Sequence, residues 1–313
     1  MVSLKNKIIL VTGGNGFLGS YVVSLLKKEK PNKIIIPDFE TYDLRLMKNC
    51  LRVTKNVDYV IHLAAKLGGI GYNMNNPATL YYDNIIMNTY IMEASRLNGV
   101  KKFLGLGTVC AYPKNTSVPF KEIDLWNGYP EETNAPYGLA KKMLLVQSQS
   151  YRKQYDFNSI YLLLVNLYGP KDNFRTESSH VIPSLIKKFS DAIANNDESV
   201  TIWGTGKATR EFLYVEDAAR GIILALKKYE KLEPVNLGSS FEISISDLAI
   251  KISKIMKYNG KIEFDKSKPD GQPRRKLDTS LAFKEFGFKS KVTFSEGLKN
   301  TIEWYEENNA KIS

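Results

Sequence analysis

Cysteine is scarce in this sequence, which holds only Cys50 and Cys110 among 313 residues. Two thiols in a chain of this length exclude a disulfide-stapled scaffold, and nothing around them has the spacing of a Cys/His metal site. We therefore expect a cytoplasmic protein with free thiols and no metal centre.

Long hydrophobic runs are also missing. Residues 1–7 lead into an apolar run at 8–11, which is far shorter than the about 20 residues that a transmembrane helix needs. The same segment lacks the pattern of a signal peptide. We expect neither a signal peptide nor a membrane partner.

Acidic residues are the scarcer charge, with 33 Asp and Glu against 44 Lys and Arg, a formal net charge of +11. The lysines are spread along the chain rather than gathered in one block, which favours a solvated basic surface over nucleic-acid binding. We expect no nucleic-acid partner. A small cluster, Arg274, Arg275 and Lys276, is better suited to a ligand that carries phosphate.

The composition is otherwise that of a globular protein, with 43% hydrophobic and 25% charged residues, which excludes disorder. Short apolar runs alternate with longer segments of helical period, including helices predicted at 76–98 and 137–155. The predicted strands are residues 8–11, 33–36, 59–63, 103–106 and 160–165. This alternation predicts an α/β fold, a Rossmann-type doubly wound parallel sheet.

The first predicted strand runs directly into a glycine-rich turn and then a helical pattern. Glycines at positions 13, 16 and 19 allow a tight turn, close approach of the backbone to a pyrophosphate and close packing of helix on strand. Glycines also accumulate in ordinary turns, but this order of strand, turn and helix favours a dinucleotide site. The turn contains Gly13, Asn15, Gly16, Phe17, Leu18 and Gly19.

The pattern changes after residue 169, where helical periods at 182–194 and 245–256 are joined by short extended pieces. We expect residues 1–167 to form the dinucleotide-binding domain, with residues 211–237 returning to it. Residues 168–210 and 238–313 then form a smaller C-terminal substrate-binding lobe over the carboxyl edge of the sheet.

Asp38 follows the second predicted strand, where a carboxylate can accept hydrogen bonds from an adenosine ribose. It can equally be an ordinary loop carboxylate. Asn15 stands in the glycine turn, and no arginine is evidently placed to neutralise a 2′-phosphate, although Arg45 or a lysine could supply that charge. The pattern favours NAD over NADP.

Tyr137 and Lys141 stand at i and i+4 of one predicted helix. An ammonium one turn away stabilises a phenolate, which makes tyrosine a better base. Most such pairs are merely exposed neighbours on a helix, but this one follows a buried strand that ends at Thr108, whose hydroxyl can share a substrate proton. The three residues together indicate proton transfer.

Several further segments carry a resemblance to a known family. With them the chain resembles the extended short-chain dehydrogenases/reductases of the nucleotide-sugar epimerase/dehydratase family, and within that family it is similar to the GDP-L-fucose synthases. The resemblance extends over most of the chain. The segments are LAAKLGGI (63–70), CAYP (110–113), TNAPY (133–137), NLYGPKDNF (166–174), SHVIP (179–183), REFL (210–213) and KPDGQPR (268–274).

The resemblance implies that Thr108, Tyr137 and Lys141 assist hydride transfer between a nicotinamide and C4 of a sugar. It implies that Cys110 and His180 move protons on the carbons beside a 4-keto group. Judged from the residues alone, Cys110 reads as a small core residue and His180 as a hydrogen-bonded polar group.

The resemblance also implies the binding residues and partners. The partners are a GDP-linked sugar, a manno-configured deoxyhexose or heptose, and a second copy of the chain that packs through the helices at 76–98 and 137–155. Cofactor contacts beyond the glycine turn and Asp38 are expected at Leu63, Ala64 and Ala65. Substrate contacts are expected at Asn166, Val181, Lys187, Trp203, Arg210 and Arg274.

Two departures from the family limit the reaction. Sugar-nucleotide dehydratases carry an acidic pair after the catalytic Ser/Thr, whereas this chain has Val109 and Cys110, so we do not expect dehydration. GDP-L-fucose synthases have an arginine in the glycine turn for the 2′-phosphate, whereas this chain has Asn15. The resulting preference for NAD suits oxidation at C4, or C4 epimerisation with tightly held NAD, as well as reduction. A module that only senses dinucleotide is the alternative outside enzymes, and the presence of Thr108, Tyr137 and Lys141 argues against it.

Overall fold

The computed structural model describes residues 2–175 and 179–309. In chain order its strands are β1 (Ile8–Thr12), β2 (Lys33–Ile35), β3 (Tyr59–His62), β4 (Lys102–Thr108), β5 (Ser159–Leu164), β6 (Asn166–Tyr168), β7 (Ser199–Trp203), β8 (Thr209–Tyr214), β9 (Val235–Leu237), β10 (Glu242–Ser244), β11 (Lys261–Asp265) and β12 (Arg274–Arg275). Its helices are α1 (Phe17–Lys28), α2 (Met47–Val53), α3 (Ile70–Asn75), α4 (Pro77–Leu97), α5 (Ala135–Tyr155), α6 (Val181–Asn195), α7 (Val215–Lys228), α8 (Ile245–Ile255), α9 (Ser280–Phe286) and α10 (Phe294–Asn308).

Six parallel strands form the main sheet, in the order β2-β1-β3-β4-β5-β9. The residues of β3 and β5 are buried throughout and those of β4 nearly so, which is why these strands read as continuous apolar runs in the sequence. The five predicted strands are all present, and the predicted parallel Rossmann-type sheet is confirmed. The short edge strand β9 was not predicted, because its three residues form too short a run.

The strand order reverses at β1, which has β2 on one side and β3 on the other. Because crossovers between parallel strands are right-handed, α1 and α4 lie on opposite faces of the sheet. On their respective faces α1 packs against α7 and α4 packs against α5. The predicted helices are found close to their expected limits, and α4 begins at Pro77, which occupies the first turn.

A second group of elements has its own hydrophobic core. Strands β6, β8, β10 and β12 form a smaller sheet, and β7 pairs with β11. Helices α6, α8 and α10 bury residues such as Ile186, Leu248 and Ile302 in this second core. In the described part of the chain, no helix is long and apolar enough to cross a membrane.

The predicted return to the main sheet at residue 211 needs a correction. Glu211 lies in β8, which hydrogen-bonds to β10 and β12 in the smaller sheet. Its buried carboxylate accepts the backbone N–H groups of Ser239 and Leu277 at 2.6 Å. These hydrogen bonds join β8 to the segments that follow β9 and β12. The elements that rejoin the main sheet are α7, beginning at Val215, and β9.

Candidate functional site

The glycine turn, residues 13–19, lies where the strand order of the main sheet reverses. Gly13 has a φ of +67°, and a Cβ there would stand 2.9 Å from the backbone nitrogen of Ala64. A Cβ on Gly19 would stand 2.0 Å from the carbonyl oxygen of Gly13. Only glycine allows the turn to fold this tightly against the end of β3 and the start of α1.

The amino end of α1 is open for an anion. Its N-cap is Gly16, which offers no side-chain hydrogen bond, and its first turn contains no acidic residue. The first backbone N–H groups of a helix lack intrahelical partners and carry partial positive charge. This cradle of glycines and free N–H groups fits the pyrophosphate of a dinucleotide.

A buried polar relay lies directly behind the glycine turn. Thr12 Oγ1 accepts the backbone N–H groups of Leu63 and Ala64 at 3.2 Å and lies 2.7 Å from His62 Nδ1. His62 Nε2 is 2.9 Å from Asn88 Oδ1. Burial lowers the pKa of His62 to about 3, with the charge of Lys141 adding to the effect, so the imidazole is neutral.

That relay continues into α5, because the amide of Asn88 donates to the carbonyl oxygen of Ala140. Ala140 precedes Lys141, so the ends of β1 and β3 are joined to the helix that carries Tyr137. Sequence reasoning missed His62 and Asn88. The only signal for them in the sequence was a polar residue in each of two buried segments: His62 in the apolar strand β3 and Asn88 on the buried face of α4.

The residues near the end of β2 bear on cofactor choice. Asp38 is exposed and its Oδ2 accepts the backbone N–H of Glu40 at 3.0 Å, while Asn15 is also exposed. Arg45, the arginine considered as a partner for a 2′-phosphate, donates to both carboxylate oxygens of Asp43 and, at 3.0 Å, to Asp83. Its guanidinium is therefore already paired with two carboxylates.

Thr108 and Tyr137 meet at the carboxyl edge of the main sheet. Thr108 is the last residue of β4, and its hydroxyl oxygen accepts the backbone N–H of Cys110 at 3.2 Å, leaving the hydroxyl proton free to donate. Helix α5 begins at Ala135, so Tyr137 stands in its first turn. Gly138 lies against the Cys110 carbonyl, where a Cβ would approach within 2.4 Å of the oxygen.

Lys141 lies one turn further along α5 and is 2% exposed. Burial lowers its pKa to about 8, and within residues 2–175 and 179–309 no carboxylate pairs with its ammonium. Tyr161 donates to the Lys141 carbonyl at 2.8 Å, through a gap that Gly107 leaves open. The helix is thus fixed to β5 at the residue that carries the ammonium.

Burial raises the pKa of the Tyr137 phenol, and the nearby charge of Cys110 raises it further. Removal of the phenol from water has this effect because neutral phenol is favoured over phenolate in an apolar surrounding. The role of Lys141 in stabilising the phenolate of Tyr137 stays a prediction. Tyr137 is a protonated group at neutral pH.

Cys110 belongs to a cluster that we call the thiol cluster: Cys110, Glu131, Arg210 and Arg275. The Arg275 guanidinium is 7% exposed and donates from Nη1 to the Cys110 sulfur at 3.5 Å. Its Nη2 lies 3.9 Å from Glu131 Oε2. Burial lowers the pKa of Arg210 to about 10, with Arg275 lowering it and Cys110 raising it, so these charges interact.

The other predicted catalytic and substrate-binding residues lie on several elements. His180 is the N-cap of α6 and Val181 its first residue, and burial lowers the pKa of His180. Asn166 donates to the Glu211 carbonyl at 3.3 Å. Trp203 is half exposed, with the Lys268 ammonium 5.4 Å from its ring centre.

Two predicted substrate cations already have carboxylate partners. Lys187 pairs with Asp191 at 2.8 Å one turn along α6, and Arg274 makes two contacts with Glu242. Both pairs are partly or largely exposed, so each cation is free to exchange its partner. The structure does not bring either side chain into contact with the thiol cluster.

Sequence reasoning assigned Arg275 only to a basic cluster suited to a phosphate-bearing ligand, and it missed Glu131 and Gln272. Arg275 donates to Gln272 Oε1 at 2.9 Å, and Gln272 in turn donates to the Lys114 carbonyl. The basic cluster at 274–276 was the available signal, but it could not say which arginine turns inward. In the described part of the chain, no group of three His, Cys, Asp or Glu residues is arranged to hold a metal.

Comparison with known proteins gives a consistent result. The family described as "NAD dependent epimerase/dehydratase family" matches residues 9–238. The rice (Oryza sativa subsp. japonica) protein "Probable GDP-L-fucose synthase 1" is 38% identical over 307 residues, covering 97% of this chain and 93% of the rice protein.

Solved structures agree along nearly the whole chain. The crystal structure of a GDP-6-OMe-4-keto-L-xylo-heptose reductase from C. jejuni has a TM-score of 0.91 and 28% identity, and the match covers 99% of each chain. The crystal structure of a GDP-L-fucose synthetase from Naegleria fowleri bound to NADP has a TM-score of 0.87 and 31% identity, covering 99% of this chain and 97% of that one.

Proposed function

This chain belongs to the NAD dependent epimerase/dehydratase family, and from that membership and the geometry of the site we propose that it transfers a hydride between a nicotinamide cofactor and C4 of a GDP-linked sugar. The sugar is a manno-configured deoxyhexose or heptose in its 4-keto form, which is epimerised beside the keto group and reduced at C4. The relatives named as GDP-L-fucose synthases and a GDP-heptose reductase support this choice.

The observation that carries the proposal is that a hydroxyl, a phenol and a thiol lie near one another at the end of β4. Thr108, Cys110 and Tyr137 lie together where β4 joins the start of α5, and Gly138 packs on the Cys110 carbonyl. A simple dehydrogenase needs only the hydroxyl, phenol and ammonium. A thiol beside them provides a second proton-transfer group for the carbons next to a ketone.

The nicotinamide, when bound, supplies or accepts the hydride at C4. Tyr137, whose phenol has its pKa raised by burial, donates its proton to the C4 oxygen during reduction. Thr108 hydrogen-bonds the same oxygen, and the Lys141 ammonium stabilises the phenolate that remains.

Cys110 and His180 serve the carbons beside the keto group. Such a C–H proton is acidic because the electron pair that it leaves behind is delocalised onto the carbonyl oxygen. Burial lowers the pKa of His180, so its neutral imidazole can accept a proton, and the thiol can donate one to the opposite face. Arg210 binds the diphosphate through its planar fork of donors, with the predicted contacts at Asn166, Val181, Lys187, Trp203 and Arg274 around it.

The test is an assay of the purified protein with GDP-4-keto-6-deoxymannose in deuterated water. We expect consumption of reduced cofactor, followed by absorbance at 340 nm, and deuterium at the carbons beside C4 of the product. Consumption without deuterium would leave a C4 reductase that does not epimerise. A lack of both with this sugar and with a 4-keto heptose would refute the proposal.

For the cofactor, the proposal is a preference for NAD(H). Asp38 is exposed at the end of β2, where a 2′-phosphate would be repelled, and Arg45 is held by Asp43 and Asp83. The Naegleria relative was crystallised with NADP, so kcat/KM for NADH and NADPH should be compared directly. A higher value with NADPH would show that Asp38 does not set the preference.

Identification of the nucleotide released on denaturation separates two modes of action. Stoichiometric NAD would favour the alternative of C4 oxidation or C4 epimerisation with held cofactor, whereas an empty protein favours exchange with the cellular pool.

Dimerisation through α4 and α5 and a cytoplasmic location stay predictions. Tyr81, Tyr82 and Val146 leave apolar surface exposed on these two helices, and sedimentation velocity would test their pairing.

A further inference from the structure

Arg275 is a buried cation whose surroundings are not those of a structural ion pair. Its closest carboxylate, Glu131, lies 3.9 Å away at the limit of an ion pair. Its Nε donates to the neutral amide oxygen of Gln272 at 2.9 Å, and its Nη1 donates to the Cys110 sulfur at 3.5 Å. A buried charge with such weak pairing is costly, since taking a guanidinium out of water is repaid only by a well-placed opposite charge.

Glu131 is itself committed to other donors. Its carboxylate accepts the hydroxyl of Thr133 at 2.6 Å and the amide of Asn134 at 2.8 Å, and Asn134 accepts the amide of Asn73 at 2.9 Å. Although burial raises the pKa of Glu131, these hydrogen bonds lower it overall. The Glu131 carboxylate is therefore charged, but its hydrogen bonds hold it against the residues that precede α5. Its distance from Arg275 Nη2 is 3.9 Å.

The neighbouring arginine shows the contrast. Arg274 is exposed and makes two close contacts with Glu242, whereas Arg275 alternates to the opposite side of the short strand β12 and points inward. Arg210 adds a second buried guanidinium nearby. Two buried guanidinium groups thus interact in this cluster, with the carboxylates of Glu131 and Asp270 acting on Arg210, and Arg275 is the one that donates to the Cys110 sulfur.

We propose that Arg275 is a positioning residue for Cys110, whose guanidinium holds the sulfur and offsets the negative charge that sulfur carries when its proton has left. The inference deepens the proposed function, on which it rests for the role of Cys110 in epimerisation. In that step a proton moves between sulfur and the carbon beside the ketone, and the C–H electron pair moves to or from the enolate. Sulfur is negative on one side of the step.

The test uses alkylation of the ligand-free protein, which does not depend on turnover. In this reaction the sulfur displaces iodide from iodoacetamide and forms a carbon–sulfur bond. The thiolate is the reacting form. Mass spectrometry of the peptides that contain Cys110 and Cys50 gives both rates in one experiment. Cys50 is fully buried, and burial raises its pKa to about 12, so it serves as an internal reporter of unfolding.

We expect Arg275→Met to slow alkylation of Cys110 at least fivefold while Cys50 stays unreactive. Arg274→Met, the matched control, should leave the Cys110 rate within twofold of the unmodified protein. Glu131→Gln should change the rate in the opposite direction, about two- to threefold faster, because it removes the carboxylate that partly offsets Arg275. A purely structural role for Arg275 predicts faster alkylation of both thiols in Arg275→Met.

An unchanged Cys110 rate in Arg275→Met would overturn the inference. If Arg275→Met exposes Cys50, Arg275→Lys and Arg275→Gln are compared instead. Arg275→Lys keeps the charge but loses the planar fork of donors, whereas Arg275→Gln loses the charge. The inference then requires that the alkylation rate of Cys110 in Arg275→Lys lie between the rates in the unmodified protein and in Arg275→Gln. Any other order overturns it. Deuterium incorporation relative to C4 reduction should then fall in parallel with the alkylation rate. Failure of the enzyme assay alone would count against the proposed function and leave the alkylation result standing.

Discussion

The glycine turn and the thiol cluster lie at the same carboxyl edge of one parallel sheet, but they are assembled in different ways. The glycine turn consists of consecutive residues, and its close contacts are made within the turn and to the end of β3. The thiol cluster draws Cys110, Glu131, Arg210 and Arg275 from four separate parts of the chain. One site is a local backbone shape, whereas the other is an arrangement of charges.

This difference has energetic consequences. The glycine turn works through unpaired backbone N–H groups, which carry only partial charge and are stable without a ligand. The thiol cluster and Lys141 hold full charges out of water, and burial lowers the pKa of both Lys141 and Arg210. Perturbed groups of this kind concentrate where chemistry takes place. The predicted cofactor site and the predicted reaction site therefore differ in what stabilises them: partial charges of the backbone in one, and buried full charges in the other.

The largest effect on turnover should come from removal of the Tyr137 hydroxyl, the proposed proton donor. We expect Tyr137→Phe to lower kcat by ~10²–10⁴-fold, because the proton donor is lost while the ring remains. Cofactor affinity, measured by fluorescence titration with NADH, should be unchanged. Tyr129→Phe, at a tyrosine that is 62% exposed, is the matched control. Activity close to normal in Tyr137→Phe would remove this residue from the mechanism.

A change in the glycine turn should have the opposite effect to Tyr137→Phe, because it should weaken cofactor binding and leave the thiol cluster unchanged. Gly19→Ala places a Cβ 2.0 Å from the Gly13 carbonyl oxygen, so the backbone must shift, at about 1–3 kcal/mol of stability. We expect cofactor affinity to fall at least tenfold while the alkylation rate of Cys110 stays the same. Gly71→Ala, where a Cβ meets nothing within 4 Å, is the control. A normal titration in Gly19→Ala would mean that the turn does not bind the cofactor.

A pH series should show the charge on Lys141. Because burial lowers its pKa to about 8, the ammonium that stabilises the phenolate is lost above that pH, and we expect kcat to fall about tenfold per pH unit there. The unfolded chain keeps this proton up to its ordinary pKa of 10.5, so the free energy of unfolding should rise with pH between about 8 and 10.5.

Urea unfolding of the unmodified protein and of Lys141→Met at pH 7 and pH 9.5 isolates the contribution of this lysine. The rise in stability from pH 7 to pH 9.5 should be smaller in Lys141→Met. Equal rises in the two proteins would place the perturbed ammonium elsewhere, for example at Lys102, whose pKa burial also lowers.

The smallest effect should be on cofactor choice. Two unit charges 4 Å apart interact by about 1 kcal/mol in water, and Asp38 is exposed, so we expect Asp38→Ser to raise the NADPH/NADH ratio of kcat/KM by only about fivefold. Glu40→Gln, at the exposed neighbour whose N–H contacts Asp38, should leave the ratio unchanged. A ratio unaffected by Asp38→Ser would assign the preference to another part of the turn.

Most of the main sheet could be predicted from the sequence because parallel strands buried on both faces are continuous apolar runs. The boundary at residue 211 could not, since only the pairing of β8 with β6, β10 and β12 places it in the smaller sheet. The relay of His62 and Asn88 was also hidden. Its polar atoms satisfy each other across different elements, and no spacing along the chain records that.

The parallel sheet, the glycine turn and the positions of Thr108, Tyr137 and Lys141 can be read from the sequence alone, because each depends on residues close together in the chain or on a short repeating pattern. The packing of the folded chain is needed to turn Arg275 towards Cys110 and Arg274 towards Glu242. It is also needed to bury the Tyr137 phenol and so raise its pKa. Both outcomes depend on how far water is excluded, and that is a property of the packed fold rather than of any segment.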